Sequence, residues 1–359
     1  MNTAIRIEVM PARLGDCLLV ECARESGQPW RMLVDGGPPG TWPRLEQKLK
    51  RLEPHERHID VAVVTHIDSD HIGGMLPFLQ SEYAEHVGDY WFNGPKHMPP
   101  GSLERGAKQG NSLVAALQGE SFGPVLPWNQ AFDGGPINTG DEAGFIEVPV
   151  PDGPLITVLS PTCKRLAILA REWLGTIEQA KRGPQDDLRS DALEPLDDLA
   201  AVAAQETSDD TSAPNGSSIA LLLEHRGARV VLGADAFGNV LGAGLAGVAA
   251  HRGLQALEVD AFKLPHHASQ RNVTEALLEV APARHYLVST NGDTFHHPDD
   301  AALARVVLTA PDGPTLWFNY RTKRTVRWAD TKLCERYGYT ARFPEKPETG
   351  TVLELPARP

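Results

Sequence analysis

The first third of the chain alternates short apolar runs with turn residues. The runs IRIEVMP, CLLVEC and RMLVDGG each have the length of a strand, and Gly15-Asp16 and Gly36-Gly37 mark breaks in the pattern. Glycine and aspartate favour such breaks because they adopt turn conformations that most other residues avoid. The pattern therefore predicts three successive strands joined by turns.

Helical spacing appears next. Leu45, Leu49 and Leu52 would lie on one side of a helix over Trp42 to Leu52. The run DVAVVTH has an uninterrupted apolar centre, VAVV, which is typical of a strand buried on both faces. The same criteria predict the strands DYWFNG, PLITVLSPT, SSIALLLEH, ARVVLGAD, DAFKLPHH and HYLVST, and the helices MLPFLQSEYAEH, Lys164 to Lys181, Asn239 to His251, TEALLEVA and Ala301 to Thr309. This alternation predicts an α/β fold.

The remaining predictions concern two hairpins, a long insertion and a C-terminal extension. The strands around Arg226-Gly227 should form one hairpin, and TLWFN with TVRWA should form another within a C-terminal extension over residues 312–359. We expect residues 98–215 to be a long helical and acidic insertion, partly mobile over 183–215. Because predicted sheet strands lie on both sides of this insertion, we expect a single domain over residues 1–359.

Acidic residues are concentrated in one part of the chain. Between Gly183 and Asn215 there are nine acidic residues and one arginine, so this stretch carries more than half of the formal net charge of −13. The acidity is therefore largely local. It weakens the case for a nucleic-acid substrate without excluding one.

Several protein classes are disfavoured by the composition. No apolar stretch approaches the roughly 20 residues that span a bilayer, so we expect no membrane association. The N-terminus lacks the basic-then-apolar layout of a signal peptide, and the four cysteines show no CxxC spacing. We therefore expect reduced cysteines and a cytoplasmic protein.

A dense group of metal-ligating residue types follows the strand VAVVTH. It consists of His66, Asp68, Asp70 and His71, followed by Gly73-Gly74. Imidazole nitrogens and carboxylate oxygens suit zinc and similar divalent ions, and two such ions can clamp an attacking water and a leaving oxygen. The alternative is a polar turn at the start of a helix, with Asp70 as the N-cap residue. Four such residues in six positions favour the metal site.

The sequence THIDSDHIGG resembles the HxHxDH motif of the metallo-β-lactamase superfamily, with aspartate in place of the second histidine. In this variant it is similar to the nuclease-like domain of ComEC-type DNA-uptake proteins. Further landmarks of the superfamily have counterparts in the same order over residues 5–310, namely Gly15-Asp16, Asp35-Gly36-Gly37, Asn215 to Ile219, Leu232 to Asp235, Pro265 to Ser269 and Phe295 to Pro298. The resemblance implies a four-layer αββα metallo-β-lactamase sandwich.

The resemblance also implies a ligand set for one or two divalent ions, Zn²⁺ or Mn²⁺. The implied metal ligands are His66, Asp68, Asp70, His71, Asp235 and His297, with Asp235 bridging the two ions. The superfamily's usual third histidine of the first site is missing, because that region offers Asn215 and Ser218. His225, the nearest histidine, is expected to be a turn residue. Carboxylates in place of imidazoles would favour Mn²⁺ or Mg²⁺ at the first site, or leave it weakly occupied.

Further roles follow from the same landmarks. Asp70 and His266 are the expected catalytic residues, with His266 as the proton donor to the leaving oxygen. For His267 a role behind the ligands and plain packing stay open. Asp16 either orients a ligand histidine or is a turn residue, and Asp35 is expected to be structural.

These features predict a metal-dependent hydrolase that acts on phosphodiester bonds, as a phosphodiesterase or nuclease. Two alternatives remain: a hydrolase of a small ester, lactone or nucleotide, and a degenerate-site partner or sensor module. A basic and aromatic cluster near residue 320 suits either a nucleic-acid backbone or a solvated hairpin; it comprises Arg321, Lys323, Arg324, Arg327, Trp317, Phe318, Tyr320 and Trp328. The expected substrate is thus nucleic acid or a small phosphodiester, and the sequence leaves any protein partner unknown.

Overall fold

The fold was analysed in a computed structural model that describes residues 3–98, 112–119, 124–140, 143–182, 193, 195–311 and 313–358. Two β-sheets pack face to face, and helices cover both outer faces. Within the described residues no helix is both long enough and apolar enough to cross a lipid bilayer. All four cysteines are unpaired thiols, as predicted.

The first sheet is built mainly from the N-terminal strands. Its strands are β1 (Thr3–Val9), β2 (Leu18–Cys22), β3 (Trp30–Val34), β4 (Ile59–Val63), β5 (Val87–Trp91) and β14 (Thr351–Pro356). The order is β14-β1-β2-β3-β4-β5. The last strand, β14, pairs antiparallel with β1, so the C-terminal segment closes the sheet that the N-terminus begins.

The second sheet has eight strands. They are β6 (Ile146–Pro149), β7 (Leu155–Ser160), β8 (Ala220–His225), β9 (Ala228–Leu232), β10 (Val259–Lys263), β11 (Ala283–Val288), β12 (Thr315–Phe318) and β13 (Thr340–Arg342). Neighbours in this sheet follow the chain order from β13 to β6. Because β6 and β7 belong to the range 98–215, part of the expected insertion is built into the sheet.

Three apolar layers account for the sandwich. Between the sheets, side chains such as Ile7 and Val230 meet in one core. A second core, with Leu45 and Phe78, lies under the helices on the outer face of the first sheet, and a third, with Leu241, lies under those on the second. The helices are α1 (Trp42–Lys50), α2 (Ser69–Ile72), α3 (Met75–Leu79), α4 (Ser112–Leu117), α5 (Cys163–Arg182), α6 (Leu199–Ala203), α7 (Ala213–Gly216), α8 (Gly238–His251), α9 (Glu275–Val280), α10 (Asp300–Thr309), α11 (Lys323–Val326) and α12 (Thr331–Tyr337). The predicted αββα sandwich is confirmed.

Most predicted elements are present, and the hairpin of β8 and β9 is confirmed. Its turn residues Arg226 and Gly227 both have positive φ, which matches the right-handed twist of a two-residue hairpin. The predicted helix MLPFLQSEYAEH was too long. It consists of α3 and a separate 3-10 helix over Ala84–His86.

The predicted late hairpin was wrong. TLWFN forms β12, which pairs parallel with β11, whereas TVRWA lies in α11 and the 3-10 helix that follows it. Thr322 caps α11 by accepting a hydrogen bond from the Thr325 amide. Thr325 and Trp328 are fully buried three residues apart, and Val326 between them is exposed, which is helical and not strand spacing.

The acidic stretch is only partly described, because residues 183–192 and 194 lie outside the described ranges. Its later part is packed against the rest of the molecule. Leu196, Leu199 and Val202 are buried in the core under the second sheet, and α6 packs against α10. The segment from residue 195 to α7 is therefore anchored at its start by ordinary hydrophobic burial.

Candidate metal centre

The motif after β4 turns sharply into a helix. His66 follows the strand end, and Asp68 has an extended backbone that caps α2, so Asp70 and His71 lie inside the helix. The alternative of Asp70 as the helix cap is therefore not what the structure shows. Gly15 permits this turn, because a Cβ atom there would lie 1.7 Å from the Asp70 carbonyl oxygen.

The remote residues come from the second sheet. Asp235 follows β9, and His266 and His267 follow β10, its parallel neighbour. Because parallel strands end at the same edge of a sheet, the three side chains meet there. His266 and His267 both adopt left-handed backbone conformations, with φ of 47° and 55°, which is uncommon outside functional sites.

Four imidazoles surround one carboxylate oxygen. Asp235 Oδ2 lies 3.4 Å from His71 Nε2, 3.5 Å from His267 Nε2, 3.9 Å from His266 Nε2 and 4.0 Å from His66 Nε2. Within the described part of the chain, the Nε2 atoms of His66, His71 and His267 are buried and have no hydrogen-bond partner. Buried polar atoms without partners are costly, so a cluster of them that faces a carboxylate calls for a cation.

In the part of the chain that the structure describes, three compact donor groups share His71, and two of them contain a second histidine. One joins His66, His71 and Asp235, and the other joins Asp70, His71 and His267, with the ligand atoms of each group within 4.8 Å of one another. Asp70 Oδ2 is 3.6 Å from His267 Nε2. Nitrogen and oxygen donors in this mixture suit zinc and related divalent ions, so these residues fit one or two metals.

Residues behind the donors fix the orientation of two rings. His71 Nδ1 donates to Asp35 Oδ2 at 2.7 Å, and Thr65 donates to the same carboxylate from its amide and its hydroxyl. His267 Nδ1 donates to the Ser289 carbonyl at 2.8 Å. In both histidines Nε2 is therefore the nitrogen that faces Asp235 and that a metal ion would bind in place of a proton. Asp35 therefore supports a candidate ligand in addition to its structural role.

Asp16 is a buried carboxylate next to the Nδ1 atom of His267. Its Oδ1 is 3.5 Å from His267 Nδ1, and its Oδ2 forms a buried ion pair with Lys263 Nζ. Burial acts to raise the pKa of the Asp16 carboxyl, but Lys263 and His267 outweigh it and hold the pKa below its usual range. The carboxylate is therefore ionised beside the donor cluster.

The same balance of burial and charge applies to the donors. Burial acts to raise the pKa of Asp70 and Asp235, but neighbouring histidines lower both below the ordinary value, for Asp235 strongly. Burial acts to lower the pKa of His71 and His267, yet the carboxylates around them raise it well above 6.5. The carboxylates thus stabilise positive charge in the cluster, which protons on the histidines or a bound metal ion would supply.

Two predicted ligands lie at the border of the cluster. Asp68 Oδ2 is 3.6 Å from His66 Nε2 and about a third exposed, and His297 Nδ1 is 3.4 Å from Asp299 Oδ2 with its ring 5.3 Å from that of His266. Among the described residues, no compact donor group includes either one. Their assignment stays a prediction, and the histidine that joins Asp70 and His71 in a compact donor group is His267.

The structure also gives the positions of three other residues near the strands and loops of the site. His225, expected as a turn residue, is the last residue of β8, and its Nε2 contacts the Ala23 carbonyl at 2.7 Å. His267 was left open by the sequence, although the doublet at 266–267 was the available signal. Asp210 was missed entirely: its Oδ2 lies 3.2 Å from His266 Nδ1. Its position in an acidic run gave no sign of this role.

The basic and aromatic cluster near residue 320 has two residues in the core, while Arg321 and Lys323 are exposed. Phe318 and Trp328 are fully buried, and the Arg327 guanidinium contacts Asp300 at 3.2 Å. The Arg321 guanidinium lies 4.3 Å from the centre of the Phe343 ring. Phe318 and Trp328 are therefore core residues and not a platform for stacking bases.

The αββα sandwich with a buried histidine and aspartate cluster at one sheet edge defines a metal-dependent hydrolase fold. A comparison with protein families identifies it: the chain belongs to the metallo-beta-lactamase superfamily, whose family model matches residues 14–292. Members of this superfamily are generally hydrolytic, and their fold binds divalent metals, typically zinc. A comparison with curated protein sequences gave no significant match.

A comparison with solved structures found two similar chains, among others. The chain is similar to Zn²⁺-bound PqqB from Methylobacterium extorquens, with 12% identity and a TM-score of 0.44 over 98% of this chain and 100% of that chain. It is also similar to the metallo-β-lactamase MIM-1 from Novosphingobium pentaromativorans, with 11% identity and a TM-score of 0.31 over 86% of this chain and 88% of that chain.

Proposed function

We propose that this protein is a metal-dependent phosphodiesterase, most readily a nuclease. The observation that carries the proposal is the buried cluster in which His66, His71 and His267 present unpartnered Nε2 atoms to Asp235, with Asp70 beside them. These five residues would hold one or two divalent ions. Three imidazoles favour zinc, and the carboxylates also suit manganese.

The chain's own residues would supply the remaining chemistry. Bound divalent ions would lower the pKa of a water molecule and offset negative charge on the phosphoryl oxygens. Asp70 would be held in position at the metal site by His71 and His267, the two histidines of its donor group. His266 has Nε2 turned toward Asp235 at 3.9 Å and Nδ1 held 3.0 Å from Asn272 Oδ1. In its imidazolium form it would donate the Nε2 proton to the leaving oxygen and keep the Nδ1 proton.

Two features favour a phosphodiester over other hydrolysable bonds. The motif His66-x-Asp68-x-Asp70-His71 is similar to that of ComEC-type DNA-uptake nucleases. The donor set also includes the carboxylates of Asp70 and Asp235, which suit ions that act on phosphoryl oxygens. Both features support the proposal at the level of reaction class, and neither selects DNA over RNA.

A substrate panel tests this proposal. Purified protein loaded with Zn²⁺ or Mn²⁺ is incubated with single-stranded DNA, double-stranded DNA, RNA, a generic phosphodiester and a generic ester. We expect cleavage of a phosphodiester that His66→Ala abolishes and that the exposed-residue control His55→Ala leaves unchanged. Failure of wild-type protein to cleave any nucleic acid would refute the nuclease assignment, and failure on every phosphodiester would refute the proposal.

One observation favours a hydrolase of a small ester, lactone or nucleotide as the second candidate. Asp210 brings the acidic segment to within 3.2 Å of His266, and negative charge beside the cluster would repel a long polyanion. Cleavage of the small substrates in the panel without cleavage of DNA or RNA would select this candidate.

A further inference from the structure

Asp210 is an almost fully buried carboxylate in an otherwise exposed acidic run. Its side chain is 7% exposed. Asp210 Oδ2 accepts hydrogen bonds from Asn215 Nδ2 at 2.8 Å and Asn272 Nδ2 at 3.1 Å, and its Oδ1 accepts from the Ser212 amide at 3.0 Å. The same Oδ2 faces His266 Nδ1 at 3.2 Å. Solvated surface aspartates do not have four such neighbours.

This arrangement selects one orientation of the His266 ring. Its Nδ1 lies near two acceptors, Asp210 Oδ2 at 3.2 Å and Asn272 Oδ1 at 3.0 Å. The amide nitrogen of Asn215 is farther from Nδ1, at 3.4 Å, and donates to Asp210 Oδ2 at 2.8 Å. A ring nitrogen between two acceptor oxygens carries a proton, so Nε2 is the atom that faces Asp235 and that carries the second proton, the one available for the leaving oxygen, when the ring is an imidazolium. Burial acts to raise the pKa of Asp210, but its hydrogen bond with His266 lowers it to about 2. Asp210 is thus ionised at neutral pH.

A second contact set holds the segment that carries Asp210. Arg305, on α10, donates to the carbonyls of Ala203 at 3.0 Å and Gln205 at 2.9 Å. It also donates to the carbonyls of Gln270 at 2.8 Å and Val273 at 3.0 Å, in the loop that follows the two histidines. One guanidinium therefore ties the acidic segment to the loop of His266, and its planar fork suits such a task.

We infer that Asp210 is a positioning residue that fixes the ring orientation and tautomer of His266. Arg305 holds the segment that carries Asp210 against the loop that carries His266. The inference rests on the proposed function of His266 as proton donor. It assigns part of the acidic segment to the wall of the site. A histidine without such a partner would sample other orientations, in which Nε2 no longer points to the leaving oxygen.

The leaving group of the substrate distinguishes this role from a merely structural one. p-Nitrophenolate departs without a proton, whereas a sugar alkoxide needs one. We expect Asp210→Ala to lower kcat on dithymidine phosphate by about 10- to 100-fold and kcat on bis(p-nitrophenyl) phosphate by less than about threefold. Asp210→Asn keeps an acceptor oxygen and should lose less. Asp209→Asn, at the exposed neighbouring position, is the matched control and should behave as wild type.

A spectroscopic measurement does not depend on turnover. In zinc-loaded protein labelled with ¹⁵N-histidine, the His266 ring signals, assigned with His266→Ala, should report a single tautomer with the proton on Nδ1. Asp210→Ala should shift or average these signals, and Arg305→Ala should do so to a smaller extent. Unchanged zinc content in all variants shows that the metal cluster is intact.

The outcomes separate the two claims. Equal losses on both phosphodiesters in Asp210→Ala, or unchanged kinetics with unchanged ring signals, overturn the inference and leave the proposed function standing. A wild-type protein that cleaves neither substrate refutes the proposed function. In that case the ring signals alone decide whether Asp210 sets the tautomer of His266.

Discussion

Replacing Lys263 with methionine removes one partner of a buried ion pair beside the metal cluster. Lys263 Nζ contacts Asp16 Oδ2, and both side chains are 1% exposed. The ammonium group also donates to the Ala234 carbonyl at 3.2 Å. Methionine has a similar length and no charge, so Lys263→Met leaves Asp16 buried and ionised without its main counter-ion. We predict a large loss of stability.

The magnitude follows from what remains around the carboxylate. Breaking a buried pair by removing one partner costs about 3–5 kcal/mol. His267 lies 3.5 Å from Asp16 Oδ1 and offers partial compensation, so we expect the lower end, about 3 kcal/mol. The double variant Asp16→Asn with Lys263→Met removes both charges. It should cost only about 1 kcal/mol, since a neutral amide is far cheaper to bury.

Urea unfolding in the presence of a chelator measures these free energies without a contribution from bound metal. Lys332→Met, at an exposed position of α12, is the matched control and should stay within about 0.5 kcal/mol of wild type. If Lys263→Met were as stable as wild type, or the double variant less stable than the single one, the reasoning about charge burial would be wrong.

Two further predictions concern the local backbone and the protons of the cluster. A Cβ atom on Gly74 would lie 2.0 Å from the Gly36 carbonyl oxygen, so Gly74→Ala should destabilise the protein by about 1–3 kcal/mol in urea unfolding. Gly40→Ala, with nothing within 4 Å of its Cβ, should be neutral, and equal effects of the two variants would contradict this explanation. Burial lowers the pKa of His71 and His267, but neighbouring carboxylates raise it well above 6.5, so both rings bind protons at neutral pH in the metal-free protein. Because metals bind the deprotonated rings, zinc affinity should fall as the pH falls, and calorimetry in buffers of different ionisation enthalpy should detect proton release at neutral pH. Zinc binding without proton release at neutral pH would refute the claim that His71 and His267 are protonated in the metal-free protein.

Local patterns were sufficient for most of the fold. Alternation and apolar runs identify strands because side chains on a strand point to opposite faces, and the hairpin at Arg226 and Gly227 follows from its two turn residues. The segment 325–329 was misread because a short helix capped by Thr322 has too few residues to show its period.

The centre of the site was also predictable, but its periphery was not. His66, Asp70, His71 and Asp235 converge as the ordered landmarks implied. The choice between His267 and His297 depends on which of two loops reaches the cluster, and no residue pattern encodes that distance. Asp210 has the same composition around it as its solvated neighbours, so only the fold distinguishes its buried carboxylate.

Metal content tests the central claim most directly. Protein dialysed against zinc and then against buffer, and measured by elemental analysis, should retain about one or two ions per chain. Asp235→Ala should lose most of this metal, because Asp235 Oδ2 lies within 4.0 Å of four imidazole nitrogens. Wild-type protein that retains no divalent metal, or Asp235→Ala protein that retains as much as wild type, would contradict the account.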